Sequence, residues 1–311
     1  MSISRSRWSA RERAHQERAD RLTAEHRARS ARGEKHPVWD FLFTYYGYKP
    51  SQLRRWHPGA GVELEQAAER EGWRWYSPGL SVGSVVPDAA AFVQEKPELA
   101  ALIERMLRRT ASRPGQFGCF GLHEWAMVYH AEEHRHPVPL RLGQAGTDAV
   151  VENHELRCTH FDAFRFFTPE AVPRNRTGLS RDTQPLFEQP GCLHAGMDLY
   201  RWAMKLGPLV PGELLLDTFE LARDIRLLDM QAAPYDLAGW GVEPVRIETT
   251  DGKAEYVRQQ RSFTDRGALL RSRLLVAWLG QDAGSQSAQG AHRLSEAAIS
   301  NLSVSTRSAA S

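Results

Sequence analysis

Apolar side chains recur at helical spacing in three long segments of the second half of the chain. Residues 192–206, 213–230 and 253–279 each place aliphatic or aromatic side chains three and four positions apart, so one face of a helix would be apolar. We therefore predict a helix in each of these segments.

Shorter patterns predict further helices and a few strands. Trp39, Phe43 and Tyr46 recur at helical spacing in an aromatic stretch. The other predicted helices are residues 62–71, residues 88–109 after the start signal of Pro87 and Asp88, and residues 122–134. Short strands are predicted in 156–164 and 245–249, and short strands or loop in 73–87. The expected fold class is mainly α with a few short strands (α+β).

The two ends of the chain differ from the part between them. Residues 5–32 form the pattern of a polar helix with few apolar residues, which we expect to lie loosely on the body or to be partly disordered. From Gly280 onward the composition predicts a disordered tail. The expected organisation is a basic polar helical arm at 1–35, a catalytic-type globular domain at 36–279 and the tail at 280–311.

Composition narrows the class of protein. Hydrophobic residues make up 41% of the chain and charged residues 25%, which is ordinary for a globular protein. No apolar run approaches the roughly 18 residues that span a bilayer, and the N-terminus has no apolar stretch of signal-peptide type. Three widely spaced cysteines form neither a disulfide framework nor a CxxC pair. These features predict a cytoplasmic protein without a membrane partner.

Positive charge is concentrated in the N-terminal arm. The whole chain has a net charge of +2. Residues 1–35 contain ten arginines or lysines and five acids, so the arm carries +5 and the remainder −3. Because phosphate binding needs a basic face, any DNA partner is expected to bind through this arm. The alternative is that the arm is simply a solvated helix.

Several histidines of the predicted domain stand close in sequence to a carboxylate. His36 and Asp40 are four residues apart, and so are His194 and Asp198 on a predicted helix. Residues four apart share a helix face. Neutral imidazole and carboxylate together bind zinc, iron or manganese, so a divalent metal is the expected cofactor.

Two further pairs lie in aromatic surroundings. His123 precedes Glu124, and His160 is two residues before Asp162 within the segment CTHFDAFRFF. Charges in apolar settings are costly unless they are paired or bound to a metal. The candidate metal ligands are therefore His36, Asp40, His123, His160 and His194, and the candidate catalytic carboxylates are Glu124, Asp162 and Asp198. We expect His160, Asp162, His194 and Asp198 to converge in one pocket with His123 or Glu124.

Each pair taken alone is also compatible with a surface salt bridge or with a core histidine that a carboxylate orients. The HExxH motif of zinc proteases is excluded, because the histidine that follows His123 is His130, seven residues on. The case for a site therefore depends on the pairs coming together.

Arginines and aromatic rings are candidates for substrate binding. Arg165, Arg174 and Arg176 could grip a carboxylate or phosphate. Trp39 and Tyr46 could stack on a flat ring, with core packing as the alternative.

Several blocks of the sequence resemble an actinobacterial group of proteins carried under the name 3-methyladenine DNA glycosylase. These blocks are HPVWDFLFTYY, RRWHPG, GLHEWAMVY, HFDAFRFFTPE and QPGCLHAGMDLYRWA, and the resemblance covers most of residues 30–260. It implies base flipping and activation of water by a carboxylate in DNA repair, for which Asp162, Asp198 or Glu124 would serve. A helix-hairpin-helix glycine motif followed by a catalytic aspartate is not found in the sequence.

Three functions remain open at this point. The first is metal-assisted hydrolysis or oxidation of a small, ring-containing substrate. The second is N-glycosidic hydrolysis of alkylated bases in DNA. The third is non-enzymatic binding of a small ligand in an aromatic pocket.

Overall fold

The computed structural model describes residues 1–132 and 138–280. Within them the chain forms one mainly α domain with a small four-stranded sheet, which confirms the expected fold class. The predicted tail from residue 281 onward and the last two residues of the predicted helix 122–134 lie outside the described residues.

Helices of very different lengths make up most of the domain. The longer helices are α1 (Arg5–Ala31), α5 (Pro97–Ala111), α7 (Gly143–Glu152), α10 (Leu193–Leu206), α11 (Gly212–Gln231) and α12 (Thr250–Leu279). The shorter helices are α2 (Phe41–Thr44), α3 (Pro50–Leu53), α4 (Ala89–Glu95), α6 (Leu122–Ala126), α8 (Phe161–Phe164) and α9 (Gln184–Phe187). Single turns of 3-10 helix lie at Ala68–Arg70, Val172–Arg174, Gly207–Leu209 and Ala238–Trp240.

The centre of the fold is the packing of α10, α11 and α12 against one another. These are the three long helices predicted from periodicity, and their apolar faces meet in one core. Leu199, Leu221 and Leu274 are among the fully buried side chains at this junction. Burying a leucine stabilises a fold by roughly 1.5–3 kcal/mol, so this junction contributes strongly. Helix α5 packs on α12, and α1 packs on α11.

A small sheet lies beside the N-terminal helix. Its strands are β1 (Ser2–Ile3), β2 (Glu63–Leu64), β3 (Tyr76–Pro78) and β4 (Val85–Pro87), in the order β1-β2-β4-β3. Strand β1 is parallel to β2, with Ile3 opposite Leu64, and the other two pairings are antiparallel. The predicted strands within 73–87 are therefore confirmed, and the N-terminus adds a strand that the sequence did not indicate.

The expectation that the N-terminal helix lies loosely on the body is wrong. Trp8 and Ala19 on α1 are 2% and 1% exposed. The Trp8 indole N–H donates to the Glu65 carbonyl oxygen at 2.9 Å, and Arg18 pairs with Asp217 on α11 at 2.8 Å. The helix is polar because many of its arginines meet carboxylates, while a narrow stripe is buried.

Several short elements differ from their prediction. Residues 62–71 form β2 and a 3-10 turn instead of a helix, and 245–249 form no strand. The predicted strand 156–164 is mostly irregular and ends in helix α8. The helix predicted from residue 122 stops at Ala126, four residues before His130 adopts a left-handed backbone conformation with φ +51°. Asp88 caps α4 as predicted, but Pro97 begins a new helix within the segment 88–109.

No helix within residues 1–132 and 138–280 is both long enough and apolar enough to cross a membrane.

The docking of α1 can be tested at Trp8. Replacing Trp8 by alanine should lower the free energy of unfolding by about 3–5 kcal/mol, because it removes a buried ring and leaves a cavity. Urea denaturation measures this. Arg7→Ala, one position away on the exposed side of the same helix, should change stability by no more than about 0.5 kcal/mol. Equal stability of the two variants would show that α1 does not support the fold.

Candidate functional site

Helix α10 places two of the predicted site residues side by side in the interior. Cys192 precedes the helix as its N-cap, and His194 and Asp198 follow one turn apart. The His194 ring lies between two other histidine rings, with centroids 4.6 Å from that of His123 and 5.2 Å from that of His160. Three of the predicted histidines therefore form one row, as expected from their apolar surroundings.

His123, on the short helix α6, is oriented from both sides. Its Nε2 lies 2.9 Å from Oδ1 of Asp229 on α11, and its Nδ1 lies 3.6 Å from Sγ of Cys119. His123 is 3% exposed and Asp229 is fully buried. The carboxylate orients the ring and holds an N–H on Nε2, so Nδ1 faces the sulfur.

His160, at the other end of the row, meets two carboxylates. Its Nε2 lies 3.2 Å from Oε1 of Glu188 and 3.4 Å from Oδ2 of Asp198. All three side chains are at most 3% exposed. The Tyr46 hydroxyl donates to the second oxygen of Asp198 at 3.0 Å, and the Gln184 amide donates to Glu188.

Arginines pair with the remaining carboxylates of the centre. Asp162 accepts from Arg181 at 2.5 Å and from Arg201 at 2.9 Å. Arg201 also reaches Asp198 at 3.4 Å, so it links these two aspartates. On the other side, Arg226 donates to Glu124 at 3.1 Å and to Asp229 at 2.8 Å.

The centre contains more carboxylates than arginines. The carboxylates are Glu124, Asp162, Glu188, Asp198 and Asp229, and the arginines that form ion pairs with them are Arg165, Arg181, Arg201 and Arg226. An excess of negative charge in a buried site is costly unless a proton or a cation neutralises it. A proton on His160, or a cation bound to the same carboxylates, would supply this neutralisation.

Burial and neighbours separate the three histidines. Burial lowers the pKa of His194 to about 3, with the nearby His123 adding to the effect, so His194 is neutral at pH 7. Burial also opposes a charge on His123, but the facing Asp229 carboxylate raises its pKa well above the usual value. Burial likewise opposes a charge on His160, but the facing Glu188 and Asp198 carboxylates outweigh it and raise its pKa.

A cavity of about 230 Å³ opens beside the row of histidines. The aromatic rings of Phe41, Tyr45 and Phe166 line it together with polar groups of the centre. Those polar groups are His194, Glu124, Asp162 and Arg226. The cavity thus combines flat apolar walls with a charged floor, the arrangement typical of a small-molecule site.

Among the described residues, two groups of side chains could hold a metal ion. The first is His123, His194 and Asp229, and the second is His160, Glu188 and Asp198; within each group the ligand atoms lie within 4.8 Å of one another. In the first group the carboxylate is already engaged by Arg226 at 2.8 Å. In the second group the arginine contact is longer, at 3.4 Å, which leaves the second group better suited to a cation.

Two predicted metal ligands are placed elsewhere. Asp40 accepts from His26 Nδ1 at 2.8 Å and from the backbone N–H of His36 at 2.7 Å. The His36 ring accepts from the backbone N–H of Val38 at 3.2 Å. Within the described chain, neither residue belongs to a group of converging metal-ligating atoms. His36 and Asp40 therefore stabilise the turn between α1 and α2 through hydrogen bonds to its backbone.

The predicted substrate-binding aromatic residues have other contacts. Trp39 packs against a small apolar cluster that includes Val38 and Val128. Tyr46 contacts the centre directly, but through its hydroxyl on Asp198, as a buried hydrogen-bond donor. The tyrosine whose ring lines the 230 Å³ cavity is Tyr45, the residue before Tyr46.

The predicted arginines are split among three places. Arg165 lies 3.6 Å from Asp162 at the edge of the centre. Arg174 donates to the Glu152 carbonyl oxygen at 3.2 Å, which holds the end of α7. Arg176 lines a second cavity, next to Cys119.

Five members of the centre were not among the predicted site residues: Arg181, Glu188, Arg201, Arg226 and Asp229. Asp229 and Arg226 did carry a signal, because both lie on the predicted helix 213–230 three residues apart. Arg201 is likewise three residues after Asp198 on α10. Glu188 follows a short helix in an irregular segment, and no local pattern marks it.

No protein-family model matches the chain, and no curated protein or solved structure is significantly similar to it.

The charge on Asp162 should support stability in a defined pH range. Although burial opposes ionisation, Arg181 and Arg201 lower the pKa of Asp162 to about 2. Because this is below the usual value of 3.8, the stabilisation is complete above pH 4 and is lost as the pH falls towards 2. Asp162→Asn should lower the free energy of unfolding at pH 7 by about 2 kcal/mol.

Urea denaturation at pH 7, 5, 4 and 3 measures this difference. The gap between Asp162→Asn and the unaltered protein should narrow below pH 4. Asp182→Asn, an exposed carboxylate of the neighbouring loop, is the matched control and should change little. A gap that is constant from pH 7 to pH 3 would contradict the proposed ionic role of Asp162.

Proposed function

We propose that this protein is an enzyme that uses a divalent cation for hydrolysis or oxidation of a small substrate containing a flat ring. The observation that carries the proposal is the contact of His160 with Glu188 and Asp198 in a fully buried site. The cation is held by these three side chains, and the substrate occupies the adjacent cavity.

The distances from His160 to Glu188 and Asp198 fit shared binding of a metal ion better than direct hydrogen bonds. Zinc binds nitrogen and oxygen at about 2.0–2.1 Å in tetrahedral sites, so neighbouring ligand atoms lie about 3.3–3.4 Å apart. The His160 nitrogen is 3.2 and 3.4 Å from the two carboxylate oxygens. These values are at or beyond the long end of ordinary N–H···O hydrogen bonds.

The surroundings of the group also support the proposal. Tyr46 donates to Asp198 and Gln184 donates to Glu188, so each carboxylate is oriented by a neutral donor. Such outer partners orient the ligands of metal sites. Three protein ligands leave a position for water or substrate, and the nitrogen and oxygen set suits zinc, iron or manganese.

The cavity supports a small, flat substrate. Its volume of about 230 Å³ is below the roughly 300–1,000 Å³ of sites for drug-sized ligands. The rings of Phe41, Tyr45 and Phe166 provide stacking surfaces. Arg226, at the floor, offers a cation to an anionic or carbonyl group of the substrate.

His194 links the cavity to the cation. It is neutral at pH 7 because of its lowered pKa, and it lines the cavity while stacking on His160. Among the described residues, neither ring nitrogen of His194 has a hydrogen-bond partner. A neutral imidazole in this position accepts a hydrogen bond from water and orients that water towards the substrate. Asp162 and Glu124 orient polar groups of the substrate from the same floor.

Metal binding is the direct test. Protein stripped with EDTA and titrated with Zn²⁺, Mn²⁺ or Fe²⁺ should bind about one equivalent of one of these ions, measured by calorimetry and elemental analysis. Glu188→Gln should lose this binding, because it removes one charged ligand. Glu124→Gln changes a carboxylate of the same centre outside both ligand groups, and it should keep the ion.

Asp229→Asn distinguishes the two ligand groups, since it alters only the first. It should retain the ion. Loss of the ion in Asp229→Asn with retention in Glu188→Gln would move the site to His123, His194 and Asp229. Absence of tight binding by the unaltered protein would overturn the proposal.

A second candidate is an N-glycosylase that acts on alkylated bases in DNA. The observation that favours it is the combination of aromatic walls with two carboxylates, since flipped bases are held by stacking and attacked by carboxylate-activated water. The arm gives it less support, because Arg11 and Arg18 of α1 pair with carboxylates of α11. We therefore rank it below the metal-dependent enzyme.

Release of 3-methyladenine from methylated duplex DNA tests this candidate. We expect no release above the rate without protein, and only weak DNA binding that decreases with salt. Chromatography of the released bases measures the first, and a salt titration of DNA affinity measures the second. Release that is lost in Asp162→Asn would reverse the ranking.

A further inference from the structure

Cys119, His123 and Asp229 are arranged in line. The Cys119 sulfur lies 3.6 Å from Nδ1 of His123, and Nε2 of the same ring lies 2.9 Å from Oδ1 of Asp229. The carboxylate holds an N–H on Nε2, so Nδ1 is the nitrogen that exchanges a proton with the sulfur. This is the order of nucleophile, base and orienting group that defines a catalytic triad.

The backbone that presents Cys119 is tightly turned. The next two residues, Phe120 and Gly121, both have left-handed conformations, with φ +49° and +74°. Glycine adopts this region readily, but phenylalanine does so at a cost. Helix α6 begins directly afterwards, which brings His123 back towards the sulfur. The unfavourable conformation at Phe120 is thus part of what sets the distance between sulfur and imidazole.

Cys119 opens on a cavity different from the one described above. This cavity has a volume of about 550 Å³ and includes Arg113, Arg157 and Arg176 in its lining. Within the described parts of the chain its lining contains no aspartate or glutamate. Arg113 donates to the backbone carbonyl oxygens of Glu188 and Pro185, both at 2.7 Å. Arg157 forms an ion pair with Glu155. The cavity is therefore positive and suited to an anionic ligand.

The other two cysteines provide a contrast within the same molecule. Cys158 lines the same cavity, but burial raises the pKa of its thiol well above the usual value. Burial raises the pKa of the Cys192 thiol as well. Neither thiol has an imidazole at hydrogen-bond distance among the described residues. Cys119 is thus the one cysteine of the three with the surroundings of a nucleophile.

We propose that Cys119, His123 and Asp229 form a nucleophilic triad that acts on an acyl compound carrying a carboxylate or phosphate group. The arginines of the 550 Å³ cavity bind the anionic group, and the acyl carbon lies against the Cys119 sulfur. The ester, amide or thioester bond of the substrate is the bond that breaks.

The step balances without an external oxidant or reductant. The thiol proton passes to Nδ1 of His123, and the sulfur then attacks the acyl carbon and forms a thioester with the protein. The bond to the leaving group breaks, and His123 returns the proton to that group. Asp229 stabilises the imidazolium that exists between the two transfers. Water then hydrolyses the thioester, with His123 again taking and returning a proton.

This activity is distinct from the proposed metal-dependent reaction. It uses the opposite end of the histidine row, a different cavity and none of His160, Glu188 and Asp198. Its test can therefore be run in EDTA, so that failure of the metal site does not affect the result.

Alkylation of the native chain tests the triad. Iodoacetate forms a carbon–sulfur bond with the thiol and releases iodide, and peptide mass spectrometry measures the rate at each cysteine. At pH 6 few ordinary thiols are ionised. Cys119 in the native chain should nevertheless react about tenfold faster or more than Cys119 in the urea-unfolded chain. Since the unfolded chain is fully accessible, exposure alone cannot produce this result.

Variants separate the parts of the proposal. His123→Gln should remove the advantage of the native chain, and Asp229→Asn should reduce it. The native chain should also prefer iodoacetate over the neutral iodoacetamide more than the unfolded chain does. Arg176→Gln should weaken that preference, while Arg105→Gln, an exposed arginine on α5 outside this cavity, should leave it unchanged.

The measurement on the unaltered protein needs no variant to fold. A native rate at Cys119 equal to or below the unfolded rate would overturn the triad. An iodoacetate preference equal in native and unfolded chains would overturn the anionic substrate class.

Discussion

The ion pairs of Arg226 in the middle of the molecule are the constraint on which the rest of the centre depends. The guanidinium is 1% exposed and joins Glu124 on α6 to Asp229 on α11. Removing either carboxylate would leave a buried charge without its full set of partners, which costs several kcal/mol. Asp229 in turn orients His123, His123 contacts His194, and His194 stacks on His160. Arg226 therefore fixes the His123 end of the row, while Glu188 and Asp198 hold His160 at the other end.

The row divides the centre into two chemically different halves. On one side, carboxylates and aromatic rings line a small cavity together with His194 and Arg226. On the other side, arginines line the cavity onto which Cys119 opens. The neutral ring of His194 stands between two histidines whose pKa values are raised. Its low pKa follows mainly from burial, and the neighbouring His123 adds to the effect.

The sequence predicted best those helices whose apolar residues recur at regular helical spacing. The helices α10, α11 and α12 were predicted within a few residues, and the one-turn spacing of His194 and Asp198 placed both in the centre. Short elements were less predictable, because their state depends on distant contacts. The stripe of α1 was missed since two of its four buried positions are His15 and Thr23, which do not count as apolar. Glu188 could not be predicted because its contact with His160 forms only in the folded chain. His36 and Asp40 were wrongly assigned to the metal site because a spacing of four residues also suits a turn.

The buried Arg70 carries a consequence for spectroscopy. Its guanidinium lies over the rings of Trp8, Trp56 and Trp73 at 4.8, 5.5 and 4.8 Å, and its carboxylate partner is Glu12 on α1. The three indoles come from different parts of the chain, yet they share one cation. Any event that separates α1 from the sheet changes the polarity around all three at once. The tryptophan fluorescence of the protein therefore reports whether α1 is packed against the sheet.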